Sequence, residues 1–224
     1  MIDLSVCTSV WGDYSKYLAA WSDSIVAQTV QPSRVVIFDA GVSCKAAVIE
    51  TQKFLQDNEI PCLVREKRYT SMGAARNSAV AAAKTEWIIH LDADDELLPW
   101  AIEDVQALAD EHDVVSIGAM RNGVAQCFPD ITAAKILERE HGMFSCGAFR
   151  RSFWNQRRWH THNSWIDSTF WVGLAHNGAR FTGTERPGFI YNQHMDSISS
   201  QLTPIERKAA MRQWLRACKE WTLT

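Results

Sequence analysis

Residues 87–99, WIIHLDADDELLP, change character halfway along. Trp87 to Leu91 form an apolar run fit for a buried strand, which ends abruptly in Asp92, Asp94 and Asp95, followed by Glu96. Like charges gathered at a strand end repel one another and cost stability unless a cation sits nearby. A buried strand that delivers carboxylates at its carboxyl end is also the way open α/β sheets present ligand-binding groups.

Upstream of this stretch, strand and helix signals alternate. GAARNSAVAAAK (73–84) reads as an Ala-rich helix, PCLVR (61–65) as a strand, Ala46 to Leu55 as a helix and RVVIF (34–38) as a strand. Before them, Tyr14, Tyr17, Leu18, Trp21 and Ile25 recur at helical spacing until Pro32, and Leu4 to Thr8 form the first strand. Such alternation predicts an α/β fold, with a parallel sheet covered on both faces. In that fold Asp39, which closes RVVIFDAG, falls at a strand end just as Asp92 does.

Downstream, Trp100 to Leu108 predict a helix, VVSIG a fifth strand, and MRNGVAQCF a hairpin turning at Asn122-Gly123. Residues 165–178 read as a helix, and RPGFIYNQH as an extended edge segment. Thr203 and Glu206 form a capping box with Pro204 at the first helical position, opening a helix that runs through Trp214.

The chain has 224 residues, 46% of them hydrophobic, and no linker or repeat divides it, so a single domain spanning 1–224 is expected. The net charge of −3 provides no global attraction to a polyanion. Six cysteines, at 7, 44, 62, 127, 146 and 218, include no C-x-x-C pair, so no zinc or redox motif is spelled out. The acid at position 3 argues against a signal peptide, and no run approaches the roughly 20 apolar residues of a spanning helix. A cytoplasmic protein without a transmembrane segment is the expectation.

Asp92 and Asp94, on a turn after a strand, can converge hard oxygen ligands on Mg²⁺ or Mn²⁺. A cation held by only one or two carboxylates keeps positions free for water and phosphate oxygens. Read alone, the same cluster could equally stabilise the N-terminus of the helix that follows Pro99.

The order of motifs SVCTSVWGDYSKYL (5–18), SIVAQTVQPSRVVIFDAG (24–41) and GAARNSAVAAAKTEWIIHLDADDELLP (73–99) resembles the family 2 glycosyltransferases of the GT-A fold. The resemblance implies a Rossmann-like, mixed but mainly parallel sheet flanked by helices. Residues 1–100 would form the nucleotide-sugar-binding half, and 101–224 the acceptor-binding half with a C-terminal helix. It implies that Asp39 accepts a hydrogen bond from the nucleotide base, usually uracil, that Arg76 lies near the diphosphate, that Asp92 meets the ribose or a bridging water, and that Asp94 contacts the metal. WIDSTFWVGLAHNGARF (165–181) resembles the family's helix that opens with an acidic pair, with Asp167 on the second acid and Ile166 in place of the first. The resemblance makes Asp167 the general base on an acceptor hydroxyl; Glu138, Glu140 and Asp196 stand next in line. YNQHMDSIS (191–199) resembles the segment whose histidine reaches the metal or diphosphate, which is His194 here, with Asn192 where the family often has Arg.

The implied reaction is inverting transfer of a sugar from a nucleotide sugar, with a UDP-sugar as the expected donor, dependent on Mn²⁺ or Mg²⁺. Residues 149–165, FRRSFWNQRRWHTHNSW, interleave Arg150, Arg151, Arg157 and Arg158 with Phe153, Trp154, Trp159 and Trp165 just before Asp167. Such a segment suits an acceptor platform read by Arg157, Arg158 and Trp159. It fits a glycan, a small molecule or a modified nucleic acid, including a hydroxymethylated base in DNA. The alternative is a helix whose aromatics are core and whose arginines are solvated. Two other functions fit an α/β core with acids. A nucleotidyltransferase would carry a Gly-rich phosphate loop with Arg or Lys near its N-terminus, which CTSVWGDYSK lacks. A non-catalytic nucleotide-sugar-binding module would keep the fold without a working base.

Overall fold

The computed structural model describes residues 1–69, 71–138, 143–161 and 166–194, together with 203–205, 208–209 and 211–212. Glu140, Trp165, Asp196, Glu206, Trp214 and Cys218 lie outside the described residues, and with them the second half of the expected capping box.

The elements are β1 (Leu4–Gly12), a 3₁₀ turn (Asp13–Tyr17), α1 (Leu18–Val26), β2 (Arg34–Val42), α2 (Lys45–Asp57), β3 (Cys62–Glu66), α3 (Met72–Ala83) and β4 (Trp87–His90). The second half adds β5 (Glu96–Leu97), α4 (Ala101–Leu108), β6 (Val114–Arg121), β7 (Val124–Gln126), α5 (Ala133–Leu137), β8 (Gly147–Arg150), α6 (Arg151–Gln156), α7 (Ile166–His176) and β9 (Phe181–Ile190). One sheet takes them in the order β3-β2-β1-β4-β8-β6-β9-β5, with β7 paired to β6. The fold is therefore α/β, as the alternation of signals predicts, but on a mixed sheet, as the family resemblance implies, rather than a purely parallel one.

Strand direction places the site. β1 pairs in parallel with β2 and β4, and β2 with β3. β8 then runs antiparallel to both β4 and β6, and β9 runs parallel to β6. Two reversals restore the original direction, so β1, β2, β3, β4, β6 and β9 all end at one edge. The turn after β4 and the chain after β9 therefore meet there.

Alternate strand residues feed two cores. Val6, Val35, Ile37, Trp87 and Ile89 pack under α1, α2 and α4, through Leu18, Trp21, Ile25, Val48, Leu55 and Val105. Cys7, Val36, Phe38 and Ile88 pack against α3 and α7, through Ala75, Ala79, Val80, Phe170 and Trp171. The period-2 alternation of a strand buried on both faces produces this division. Truncating a buried aromatic such as Trp171 in such a core costs about 3–5 kcal/mol.

Asn122 and Gly123 both take positive φ, 50° and 75°, and join β6 to β7 in the turn expected of an Asn-Gly hairpin. Two expectations are corrected. The segment RPGFIYNQH is no edge: its strand residues belong to β9, which lies between β6 and β5. Residues 147–150, which carry no strand signal in the sequence, form β8, the joint between the two parallel parts.

Candidate active site

The buried cation that the acidic turn calls for is a side chain. Arg76, on α3, is 2% exposed. Its Nη2 donates to Asp92 Oδ1 at 2.6 Å, and its Nη1 donates to Asp167 Oδ1. Ser71 caps α3 by accepting from Ala74 N at 3.3 Å, which starts the helix at the site edge and carries Arg76 into its second turn. The structure thus brings together three residues that are far apart in sequence.

Charge in this cluster is graded. Burial alone would raise the Asp92 carboxyl, but Arg76 holds it below the usual carboxylate range. Asp167 is pushed up, by burial and by the neighbouring Asp92 charge, against the pull of Arg76 and of the Trp159 indole, whose Nε1 donates to its Oδ1 at 3.3 Å. Burial would lower Arg76, yet Asp167 and Asp92 together raise it above the ordinary arginine value. Beneath them His90 is buried, with Nδ1 3.7 Å from Asp92 Oδ1. Burial and the adjacent Arg76 push it down to about 3, so it is neutral.

Asp94 points elsewhere. Its Oδ2 meets His194 Nε2 at 2.8 Å, and the imidazole packs against Tyr17 and Tyr14 at ring separations of 5.1 and 5.8 Å. Burial, then the Asp92 charge, raises the Asp94 carboxyl. A carboxylate and an imidazole that converge under such strain from a like charge are a donor set a divalent cation would satisfy. Among the described residues no group of three or more His, Cys, Asp or Glu is arranged to hold a metal. Asp94 Oδ2 and His194 Nε2 are the two side-chain atoms here that could hold a divalent ion. Asp92, expected near the ribose, has its Oδ1 on Arg76.

Asp39 lies three residues inside the end of β2, not at the strand end the sequence suggests, and its Oδ1 accepts from Gly41 N at 2.8 Å and Val42 N at 2.9 Å. Its Oδ2 accepts from Lys45, which also bridges to Glu66 at 2.6 Å. Burial would raise this carboxyl, but Lys45 and the two backbone amides lower it.

The expected acceptor platform is largely dispersed. Trp159 is 2% exposed and stacks on Phe170 at 4.0 Å, so its faces are closed to an acceptor; its indole N–H holds Asp167 instead. Arg150 pairs with Glu86 and covers Trp87, and Arg151 donates to the Thr85 carbonyl at 2.8 Å. The reason is strand direction: β8 runs against β4, and Arg150 sits opposite Trp87, at the far edge of the sheet from Asp92. Arg157 is half-buried, and Arg158 is exposed with its guanidinium over Trp154 at 4.7 Å.

The residue that organises this segment escapes a reading of the sequence. Asn77 accepts from Trp159 N at 3.1 Å and Trp154 Nε1 at 3.0 Å, and donates to the Trp159 carbonyl at 2.8 Å. A Cβ on Gly73, one turn earlier, would collide with the His160 carbonyl. Both stand beside Arg76 in GAARN, a motif whose sequence signal is its arginine alone. Tyr17 likewise has the spacing of a core position, yet it packs on His194.

Known proteins share this architecture. The crystal structure of Staphylococcus aureus TarS 1-349 in complex with UDP-GlcNAc superposes with a TM-score of 0.76 at 20% identity, covering 96% of this chain and 66% of that one. The mannosyltransferase PcManGT from Pyrobaculum calidifontis, in complex with GDP-Man and Mn²⁺, gives a TM-score of 0.73 at 17% identity, covering 98% of this chain and 64% of that one. A curated relative, the uncharacterized glycosyltransferase MJ1057 of Methanocaldococcus jannaschii, is 30% identical over 100 residues, 45% of this chain and 34% of its own length. The chain thus spans about a third of that relative and slightly under two thirds of the two solved structures. The family profile described as Glycosyl transferase family 2 matches residues 5–195, and the chain belongs to that family of glycosyltransferases, on a GT-A fold.

Proposed function

We propose that the protein is an inverting, metal-dependent glycosyltransferase that moves a sugar from a nucleotide sugar, with a UDP-sugar as the expected donor, to an acceptor hydroxyl. The observation that carries this reading is the buried bridge Asp92–Arg76–Asp167, which ties the strand-end acids to a carboxylate on α7. Arg76 and Trp159 both hold Oδ1 of Asp167, so Oδ2 is the oxygen that takes the acceptor proton. The raised Asp167 carboxyl makes a stronger base than a solvated aspartate.

The acceptor oxygen forms a bond to the anomeric carbon as the bond from that carbon to the diphosphate oxygen breaks. The proton goes to Asp167 and the electron pair leaves with the nucleoside diphosphate. Attack opposite the leaving group inverts the centre, and one base suffices. Arg76, locked between two carboxylates that already offset its charge, holds Asp92 and Asp167 in fixed positions without needing to reorganise. A divalent ion held by Asp94 and His194 would neutralise charge developing on the diphosphate. Asp39 is the candidate for reading the base, and a nucleotide entering there would compete with Lys45 for its Oδ2.

Arg157 and Arg158 remain candidate acceptor contacts. With Arg150, Arg151 and Trp159 engaged elsewhere, a sugar or small-molecule hydroxyl is better supported than a nucleic-acid base. The test is Asp167→Asn, expected to keep donor binding and to cut kcat by roughly 10²–10⁴-fold. Asp94→Ala is expected to fold normally and to lose the Mn²⁺ dependence of donor binding. Undiminished transfer by Asp167→Asn would remove Asp167 from the reaction, and unchanged Mn²⁺ dependence would remove Asp94 from the metal site.

A further inference from the structure

We infer that Asn192 and Asp95 form a latch that positions His194 on Asp94. The inference rests on reading Asp94 and His194 as the protein's share of the metal site. Asn192 makes hydrogen bonds to three consecutive residues of the acidic turn. Its backbone N–H donates to Asp95 Oδ1 at 2.9 Å, and its side-chain amide donates to the Asp94 carbonyl at 2.8 Å and to Glu96 Oε1 at 3.2 Å. Both N–H groups of that amide are thereby used. The clamp continues the strand pairing that precedes it, in which Ile190 sits opposite Glu96 and Phe189 opposite Leu97.

Two residues later His194 reaches Asp94 Oδ2, and its ring lies on Tyr17. Gln193 between them accepts from Asn122 Nδ2, at the tip of the β6–β7 turn, at 3.2 Å. Every residue from 192 to 194 is therefore held by a different group. Asp95 is 2% exposed, and its Oδ1 serves the clamp, so it acts on the site through Asn192. Asp95 and Asn192 are positioning residues, and they explain how a chain with Asn at position 192 keeps its histidine in place.

Two measurements separate the latch from the metal reading. In the metal-free protein, a nuclear Overhauser contact between the His194 and Tyr17 rings reports the position of the histidine. Electron paramagnetic resonance of free Mn²⁺, with UDP present, reports metal affinity. Asn192→Ala and Asp95→Ala are expected to lose the ring contact and to weaken Mn²⁺ binding on the order of 10- to 100-fold, the usual effect of removing a partner behind a ligand. Asp95→Asn keeps an acceptor oxygen for the Asn192 N–H and is expected to keep both signals. Asn192→Leu, which is close in size and lacks the side-chain donors, replaces the alanine variant if that fails to fold, with the same expected loss. An intact ring contact in the Asn192 variant and Asp95→Ala overturns the latch, and so does an Asp95→Asn protein as impaired as Asp95→Ala. Wild-type protein that holds no Mn²⁺, while the ring contact still follows the variants, overturns the metal reading and leaves the latch standing.

Discussion

Trp159 spends its ring on the core and its one polar atom on Asp167. Trp159→Phe should keep a ring against Phe170 while removing the bond to Oδ1. That bond favours the carboxylate, alongside Arg76 and against Asp92, so its loss should push the already raised Asp167 further up. The ascending limb of the pH profile of kcat/KM should then move to higher pH, and the rate below that limb should fall several-fold. A limb that stays in place would reduce Trp159 to packing. At this scale Asp92 and Asp94 stand out in the sequence as acids after an apolar run, and Arg76, Asp167 and His194 through motifs that resemble the family's. Asn77 and Asn192 do not. A neutral amide carries no pattern of its own, and the partners of Asn77 include a carbonyl 82 residues away along the chain. Trp159 misleads for a related reason: an aromatic among arginines looks the same in sequence whether its faces meet a ligand or a phenylalanine.

Among the elements, β8 decides how the two parallel parts of the sheet are joined, and Asp113 fastens its far end. Asp113 accepts from Arg180 Nε at 2.9 Å, Nη2 at 3.1 Å and backbone N at 3.0 Å, and lies 3.4 Å from Arg150 Nε, linking the ends of β6, β8 and β9. Burial would raise its carboxyl, but Arg180 and then Arg150 lower it. With the folded value depressed, this stabilisation is present above the ordinary carboxylate range and is lost as pH falls through the folded value. Asp113→Asn should therefore be less stable than wild type at neutral pH, and the two should converge in acid. The difference should be about 1 kcal/mol, because the Arg180 side chain is 57% exposed and solvent screens the pair. Thermal melts of both proteins across a pH series check this, and a constant gap would contradict it. β1, β2 and β4 are legible because apolar runs buried on both faces leave little else to choose. β8 is not, since four residues containing a glycine carry too little periodicity, and its pairing depends on what β4 and β6 offer across the chain.

At the level of the whole molecule, no helix among the described residues is long and apolar enough to cross a membrane. Ligand binding should be measurable as global stability, since a ligand bound only by the native state raises the melting midpoint. UDP with Mn²⁺, at a hundred times the dissociation constant, contributes about 2.7 kcal/mol, which in a chain of this size is roughly 5–10 °C. Neither component alone should approach that shift, and an equal rise with UDP in the presence of a chelator would deny the metal its place. Overall architecture is the most legible level of all, because an alternation of strand and helix signals admits few topologies. The position of β9 inside the sheet is the exception, its pairing with β6 being invisible in its own residues. Arg76 has a consequence for synthesis as well. It precedes Asp167 by 91 residues, so on the ribosome it waits about 5–20 s for its second carboxylate. Until α7 emerges, the nascent chain holds a guanidinium with one partner in a place built for two. The Arg76 bridge should therefore close in one late step, when Asp167 docks, and until then the guanidinium stays accessible to solvent and chaperones.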